Sequence, residues 1–225
     1  MNMRSPQIAS DTRTRILEAA VDRFGRDGFG ASLRAIAADA GVSAAAVMKH
    51  FGSKESLHRE CDAHVLAVIS AYKTEAMKSA DLGATLMTQM ARMEEFQPLI
   101  RYTMRSFLAG GDVARNLLED MRSRALTWMA EGVKAGHLKP SRNEELRVKL
   151  TFSISIGWMV QSVLAAEKDL GELDADFWAR TFDEMLMPAL ELYAEGLFAD
   201  RTLLEHYMLY RSDPPGESGA EETSA

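Results

Sequence analysis

The chain has 225 residues, 47% of them hydrophobic and 26% charged, which is ordinary globular composition. No uninterrupted apolar run approaches the roughly 18 residues that span a bilayer, and residues 1–11 lack the apolar segment of a signal peptide, so we expect a cytoplasmic protein without a membrane partner. The net charge is −7, but residues 1–60 carry nine Lys/Arg against seven Asp/Glu. The N-terminal end is therefore a weakly basic surface on an acidic protein.

Four helices are predicted in the first quarter of the chain. Apolar residues at helical spacing define the first one, and glycines near residue 28 end it. Ser32 is a suitable N-cap for the second helix, which Gly41 closes. Ser43 and Ser53 cap the third and fourth in the same way. The predicted helices cover residues 12–26, 33–40, 44–51 and 54–78.

The rest of the chain keeps the helical period, without the alternation typical of strands. We predict helices near residues 82–95, 98–109, 113–135, 144–168 and 176–197, and a last one to about residue 211. Pro188 is expected to kink or split its helix. The fold class is therefore all-α. Residues 1–11 are predicted to form a flexible arm and residues 212–225 a disordered tail.

Residues 36–43 have the features of a helix-turn-helix corner. In this motif one helix supports a second in the major groove, and the corner needs a small residue, a glycine and an apolar residue beneath it. Ala40, Gly41 and Val42 supply these three. The next helix begins with small residues that could approach base edges, then carries Lys49, and Lys54 begins the following helix where it could face a phosphate.

This region resembles the DNA-binding domain of the TetR family of bacterial regulators. The resemblance covers roughly residues 12–60 and is carried by residues 15–20, Phe24, Gly28 and segments 36–37, 40–43 and 50–57. The remainder is similar to the family only in length and helical rhythm. The resemblance implies an N-terminal three-helix helix-turn-helix domain (12–60) and a larger helical bundle for ligand binding and dimerisation, which is the regulatory and dimerisation domain (61–211). The resemblance implies a transcriptional regulator, most simply a repressor, that binds a palindromic double-stranded operator as a homodimer and is released by a small hydrophobic effector. It places DNA contacts at Ser32, Arg34, Ser43, Ala44, Ala45, Ala46, Met48, Lys49, His50 and Lys54.

The third helix departs from the family pattern at two places. The family usually has a tyrosine where Met48 stands, and a glycine, proline or polar residue among positions 44–46, which are all alanine here. Methionine cannot anchor a phosphate, and alanine can touch a thymine methyl group but cannot form a hydrogen bond with a base. We therefore expect base preference to depend on Arg34, Lys49 and DNA shape.

The middle of the chain is rich in methionine and aromatic residues. Such residues either form the core or line a pocket between helices, since methionine adapts to irregular cavities. The predicted pocket residues are Met87, Met90, Phe96, Tyr102, Met104, Phe107, Trp128, Phe152 and Trp158. The last long helices are predicted to form the dimer through Ile154, Ile156, Trp158, Val160, Val163, Leu164, Phe177, Trp178, Phe182 and Leu186.

Other functions have weaker sequence support. Cys61, the single cysteine, excludes an internal disulfide, and His58, Cys61 and His64 are spaced along one helix with the outer pair splayed apart, so we expect no metal site. There is no nucleophile elbow or phosphate-binding loop, and we expect neither an enzyme nor a cofactor. The alternative is a helical ligand-binding or protein-interaction protein with a vestigial helix-turn-helix.

Overall fold

The computed structural model describes residues 6–212, and every regular element within that range is helical. The chain divides into two compact units, residues 1–181 and 182–225, which are described separately. The helices are α1 (Pro6–Asp27), α2 (Leu33–Asp39), α3 (Ala44–Phe51), α4 (Lys54–Lys78), α5 (Leu82–Met90), α6 (Gln97–Ala109), α7 (Gly111–Lys134), α8 (Glu144–Ala165), α9 (Ala175–Ala194) and α10 (Thr202–Ser212).

The predicted all-α fold is confirmed, with differences at helix ends. Helix α1 begins at Pro6, so residues 6–11 of the predicted flexible arm are helical, consistent with the preference of proline for a first helical turn. Helix α9 continues through Pro188, so the predicted split is wrong; a proline removes one backbone hydrogen bond, which a helix can accommodate. The predicted disordered tail, apart from Ser212, lies outside the described residues.

One apolar core holds the N-terminal helices together. The stripe of α1 is buried, with Ile16 and Phe24 fully inaccessible, because α2, α3 and α4 cover it. From α3, Val47 and Phe51 point into this core, and Tyr102 enters it from α6. The remaining members of the core are Leu17, Ala20, Val21, Ile36, Ala37, Ala40, Leu57, Cys61 and Val65.

Helix α1 also packs closely on α6, which belongs to the predicted regulatory domain. A Cβ atom on Gly25 would lie 3.1 Å from the backbone nitrogen of Tyr102, so a larger residue there would press α6 away by a few tenths of an ångström. Arg105 of α6 donates to the Gly25 carbonyl at 3.2 Å and to the Arg26 carbonyl at 2.8 Å, which satisfies the C-terminal end of α1. The predicted boundary at residue 60 falls inside α4, so α4 is shared by both parts.

Helix α8 presents an exposed apolar stripe. By length and composition it is apolar enough to cross a membrane, contrary to our expectation that no segment would be, and only 17% of its apolar window is buried. Leu146, Leu150 and Ile154 form an exposed stripe along it, with exposed fractions of 60%, 63% and 37%. A single such helix is weak evidence for a membrane, and a partner chain would cover the same stripe.

Candidate nucleic-acid interface

The turn between α2 and α3 has the geometry that the sequence predicts. Gly41 adopts a φ of 64°, in the left-handed region that favours glycine. Its amide donates to the Ala38 carbonyl at 3.1 Å, and the Val42 amide donates to the Ala37 carbonyl at 2.9 Å. These bonds fix the angle at which α3 leaves α2.

Serine side chains cap the three helices of this region. The hydroxyl of Ser32 accepts from the Ala35 amide at 3.2 Å at the start of α2. Ser43 accepts from the Ala46 amide at 3.1 Å at the start of α3, and Ser53 caps α4 in the same manner. Each cap satisfies an amide that would otherwise lack an intrahelical partner. The first turn of α3 is therefore fixed although it is exposed.

Helix α3 is amphipathic, and its outer face is available to a ligand. Val47 and Phe51 are 1% and 6% exposed and anchor the inner face. Met48 is 44% exposed, where the family usually has tyrosine. Of the ten predicted DNA-contact residues, Ala46, His50 and Lys54 are half-buried and the other seven are exposed. The structure thus places all ten at the surface of α2, α3 or the start of α4.

The basic residues of this region fall into two groups. Within the part of the chain that the structure describes, Arg34, Lys49 and Lys54 form no ion pair, so their charges remain available to a phosphate or a base. Arginines on α1 are instead engaged with acidic residues of the protein. Their pairs are Arg13 with Glu60 at 2.7 Å, Arg23 with Asp39 at 2.6 Å and Arg26 with Asp22 at 2.9 Å.

The sequence did not reveal that arginines of α1 contact the neighbouring helices α2 and α3. Arg23 donates two hydrogen bonds to the Asp39 carboxylate at the end of α2, and this arginine holds the pKa of Asp39 below its usual value. Arg13 lies over the Phe51 ring at 5.0 Å from its centroid, and so contacts the end of α3. Sixteen positions separate Arg23 from Asp39, and Arg13 is farther still from Phe51, so no local pattern signals these two contacts.

Tyr102, a predicted pocket residue, lies in the core between the helix-turn-helix and α6 instead. It is fully buried, and its hydroxyl donates to the Asp62 carboxylate at 2.7 Å. The His58 ring stacks among Phe24, Phe29 and Tyr102, with its centroid 4.2 Å from that of Phe29. Tyrosine was predicted for the pocket from composition alone, whereas its hydroxyl finds a partner 40 positions away on α4.

Burial controls the ionisation of this cluster. It lowers the pKa of the His58 imidazole, and the His58 Nε2 atom is buried without a hydrogen-bond partner in the described structure. It raises the pKa of Asp62, although the Tyr102 hydroxyl opposes the change. The neutral forms of both side chains are therefore favoured by the fold.

Acidification is expected to destabilise this core through His58. Because its folded pKa lies below the ordinary 6.5, His58 contributes stability that is present above that value and is lost as the pH falls through the folded pKa. The melting temperature of His58→Phe should therefore fall less between pH 7.5 and 5.5 than that of the unmodified chain. Asp62 acts in the opposite direction, so the comparison is repeated in an Asp62→Asn background. Equal slopes in both backgrounds would show that His58 does not contribute.

The other predicted pocket residues do not gather in one described cavity. Trp128 and Phe152 pack on a core between α7 and α8, and Trp158 donates its indole N–H to the Thr181 carbonyl at 3.0 Å. Met104 is buried and Met87 is 56% exposed, while Met90, Phe96 and Phe107 are half-buried. A groove of about 330 Å³ between α7 and α8 contains none of the nine, and it is lined by Glu119, Arg122, Ser123, Leu126, Glu145, Leu146, Val148 and Lys149.

The predicted dimer residues divide between the surface and the interior. Ile154 and Leu164 are 37% and 66% exposed and could contact a partner. Val163 and Trp178 are 6% and 1% exposed, so they belong to the core of the subunit and not to its dimer surface. Helical periodicity identified these residues as apolar but could not tell an inner apolar face from an outer one.

The residues His58, Cys61 and His64 occupy different environments along α4. His58 lies in the aromatic cluster, and Cys61 is fully buried in the N-terminal core, where burial raises the pKa of its thiol. His64 is half-buried. Over the residues that the structure describes, no three His, Cys, Asp or Glu side chains are grouped as metal ligands.

An exposed helix that is positioned by a glycine corner and flanked by unpaired cations defines a helix-turn-helix DNA-binding protein. Residues 16–61 match the family model described as bacterial regulatory proteins, tetR family, and residues 94–199 match that of the tetracyclin repressor-like C-terminal domain. The chain is 42% identical over 206 residues to the HTH-type transcriptional regulatory protein RaaS of Mycobacterium tuberculosis, covering 92% of this chain and 95% of that protein. The chain belongs to the TetR family and is a DNA-binding transcriptional regulator.

Solved structures agree with this fold. SmeT, the repressor of the Stenotrophomonas maltophilia multidrug efflux pump SmeDEF, has a TM-score of 0.54 at 20% identity, covering 85% of this chain and 95% of its own. A TetR-family regulator from Mesorhizobium loti has a TM-score of 0.51 at 20% identity, covering 82% and 98%. These likenesses support an all-helical architecture with a helix-turn-helix and a helical regulatory body. The family-model matches and the likeness to RaaS do not favour a vestigial helix-turn-helix in a binding protein of another class.

Proposed function

We propose that the protein is a cytoplasmic repressor that binds a palindromic operator as a homodimer and leaves it when a small hydrophobic molecule binds in the body. The observation that carries this proposal is the exposed face of α3, whose position is fixed by Ser43 and Gly41. Lys49 on that face and Arg34 and Lys54 beside it carry unpaired charges. Two such faces on one dimer would read two half-sites about one helical turn apart.

The three cations have different proposed tasks. Lys54 lies at the start of α4, where its charge and the first backbone amides could hold a phosphate. Arg34 lies in the first turn of α2, and its fork of donors suits a guanine edge. The alanines of α3 permit close approach to thymine methyl groups. Base preference therefore depends on few hydrogen bonds and on DNA shape.

Operator binding by two alanine variants tests these assignments. Lys54→Ala should weaken binding to all DNA sequences, whereas Arg34→Ala should also relax base preference, because a base-edge contact discriminates by about 1 to 3 kcal/mol. The operator is first selected from random DNA, and affinities are then measured for it and for scrambled DNA over a range of salt. Lys139→Ala, which removes an exposed lysine outside these helices, is the control. Unchanged affinity in both test variants at low salt would refute the interface.

The proposed effector site lies among the helices of the body. Met90, Phe96 and Phe107 are large apolar residues that remain half-buried in a single chain, so part of each side chain is accessible to a ligand. Helix α6, which carries Phe107, also holds the end of α1 through Arg105. An effector that moves α6 would therefore act directly on the DNA-binding helices.

A titration with hydrophobic molecules tests effector release. Binding of the ligand should change the fluorescence of Trp128 or Trp158. The same ligand should lower operator affinity, by about tenfold for each 1.4 kcal/mol by which it binds the DNA-free arrangement more tightly than the DNA-bound one. DNA must then weaken ligand binding by the same factor. A ligand that binds tightly and leaves operator affinity unchanged would show that this site does not control DNA binding.

A further inference from the structure

The C-terminal unit of the chain contains a segment of apolar residues with high side-chain exposure. Every residue from 191 to 211 is exposed, and ten of them are large and apolar. Four of these are aromatic, namely Tyr193, Phe198, Tyr207 and Tyr210, and each is more than half exposed. A contiguous apolar surface of this kind marks an interaction site in a soluble protein.

Helix α10 also requires a partner to be stable. It has 11 residues, and isolated helices shorter than about 12 to 15 residues are marginal in water. At 3.6 residues per turn, Leu203, Leu204, Tyr207 and Tyr210 lie on one face, which spans roughly 120°. Leu209 lies on the opposite side and is 67% exposed, so the helix is apolar around most of its circumference.

The position of α10 in the chain indicates a second copy as its partner. The family-model match ends at residue 199, before α10 begins. Seven residues separate it from α9, and seven residues can span at most about 25 Å. The end of α9 exposes Met187 and Leu190 as well, so the apolar surface of α9 continues into the segment. In the proposed homodimer α9 is one of the last long helices that are predicted to form the interface, so its short connection keeps α10 within reach of the second copy.

We infer that residues 187–211, here called the C-terminal arm, pair with the same arm of a second copy and form part of the dimer interface. This inference rests on the proposed homodimer. The exposed parts of the four aromatic side chains alone supply on the order of 400 Å². That is about half of the roughly 800 Å² that each partner buries in a stable interface.

Point variants of the full chain test the arm. Leu203→Ser with Tyr207→Ser should raise the dimer dissociation constant by 10-fold to 100-fold in sedimentation equilibrium. Glu205→Ala on the same helix is the control and should leave that constant unchanged. Because both substitutions lie outside residues 16–61, the affinity of fully dimeric protein for its operator should not change.

Cysteine cross-linking gives a second, independent measurement. Cys61 is fully buried, so cysteines introduced singly at Leu203, Leu204 or Tyr207 are the reactive thiols, and at least one should give a disulfide-linked dimer on oxidation. A cysteine at Arg59, on the N-terminal unit, should not. No cross-linked dimer from any of the three would overturn the pairing.

The outcomes distinguish a failure of the arm pairing from a failure of the proposed homodimer. If the unmodified chain is monomeric, both the proposed homodimer and the pairing of the arms are wrong. If the chain is dimeric but the double serine variant has the same dissociation constant, only the pairing of the arms is wrong. If the unmodified chain sediments with phosphatidylcholine vesicles and the double serine variant does not, while the dimer is unchanged, the arm binds lipid and the inference is wrong. If the double variant lowers only the melting temperature, the arm packs on its own chain and the inference is again wrong.

Discussion

A protein in which Leu150 and Ile154 are both changed to glutamate is expected to be monomeric at micromolar concentration and to lose operator binding. Both side chains lie on the exposed apolar stripe of α8, and only 17% of the apolar window of that helix is buried in one chain. Burying an unpaired carboxylate in an interface costs at least about 3 kcal/mol. The dimer dissociation constant should therefore rise more than about 100-fold.

Loss of the dimer should reduce operator binding because the second half-site is then bound independently. In the dimer that second contact benefits from an effective concentration in the millimolar range. Light scattering and gel retardation measure the two effects, and Lys149→Glu, at the polar edge of the same helix face, controls for the added charge. A doubly substituted protein that remained dimeric would exclude α8 from the interface.

Phe24→Ala is expected to lower the free energy of unfolding by about 3 to 5 kcal/mol. Phe24 is fully buried, and its ring lies 5.8 Å from that of Phe29 and 5.7 Å from that of His58. Alanine would leave a cavity at the point where α1 meets α4 and α6. Since a domain has only about 5 to 15 kcal/mol of stability, the variant should unfold at a much lower urea concentration.

The urea midpoint measures this effect, with the slope of the transition as a check that the unfolded state is unchanged. Phe24→Leu retains most of the buried volume and should cost less than about 1.5 kcal/mol. Because Phe24 is inaccessible, the folded fraction of each variant should bind operator normally. If Phe24→Ala lowers the free energy of unfolding by less than about 1 kcal/mol, the core collapses into the space left by the ring and the prediction is wrong.

The features that the sequence predicts well are local ones. Ser32, Ser43 and Ser53 cap the helices that they were expected to cap, because a cap depends on residues within one turn. Gly41 closes α2 because the backbone there is in the left-handed conformation, which glycine adopts readily. The helix-turn-helix and its exposed face could therefore be predicted without knowing how the rest of the chain folds.

The features that the sequence predicts poorly depend on contacts between residues that are far apart along the chain. Tyr102 binds Asp62 across 40 positions, and Arg105 holds the end of α1 across 79. Neither pairing leaves a periodic pattern. The dimer residues show the same limit, since Trp178 and Leu164 are equally apolar in sequence but differ in exposure from 1% to 66%. Which apolar face turns inward is decided by neighbours from elsewhere in the chain.

The continuity of α4 has a geometrical consequence for regulation. Its 25 residues run without a break from Lys54, the proposed phosphate contact, to Lys78 in the body, a length of about 37 Å at 1.5 Å per residue. A rotation of only about 5° at the body end would displace the DNA end by about 3 Å. That distance is comparable to the spacing of roughly 3.4 Å between successive base pairs. A change in tilt too small to disturb the packing of the body would thus shift a reading helix by one full step along its half-site.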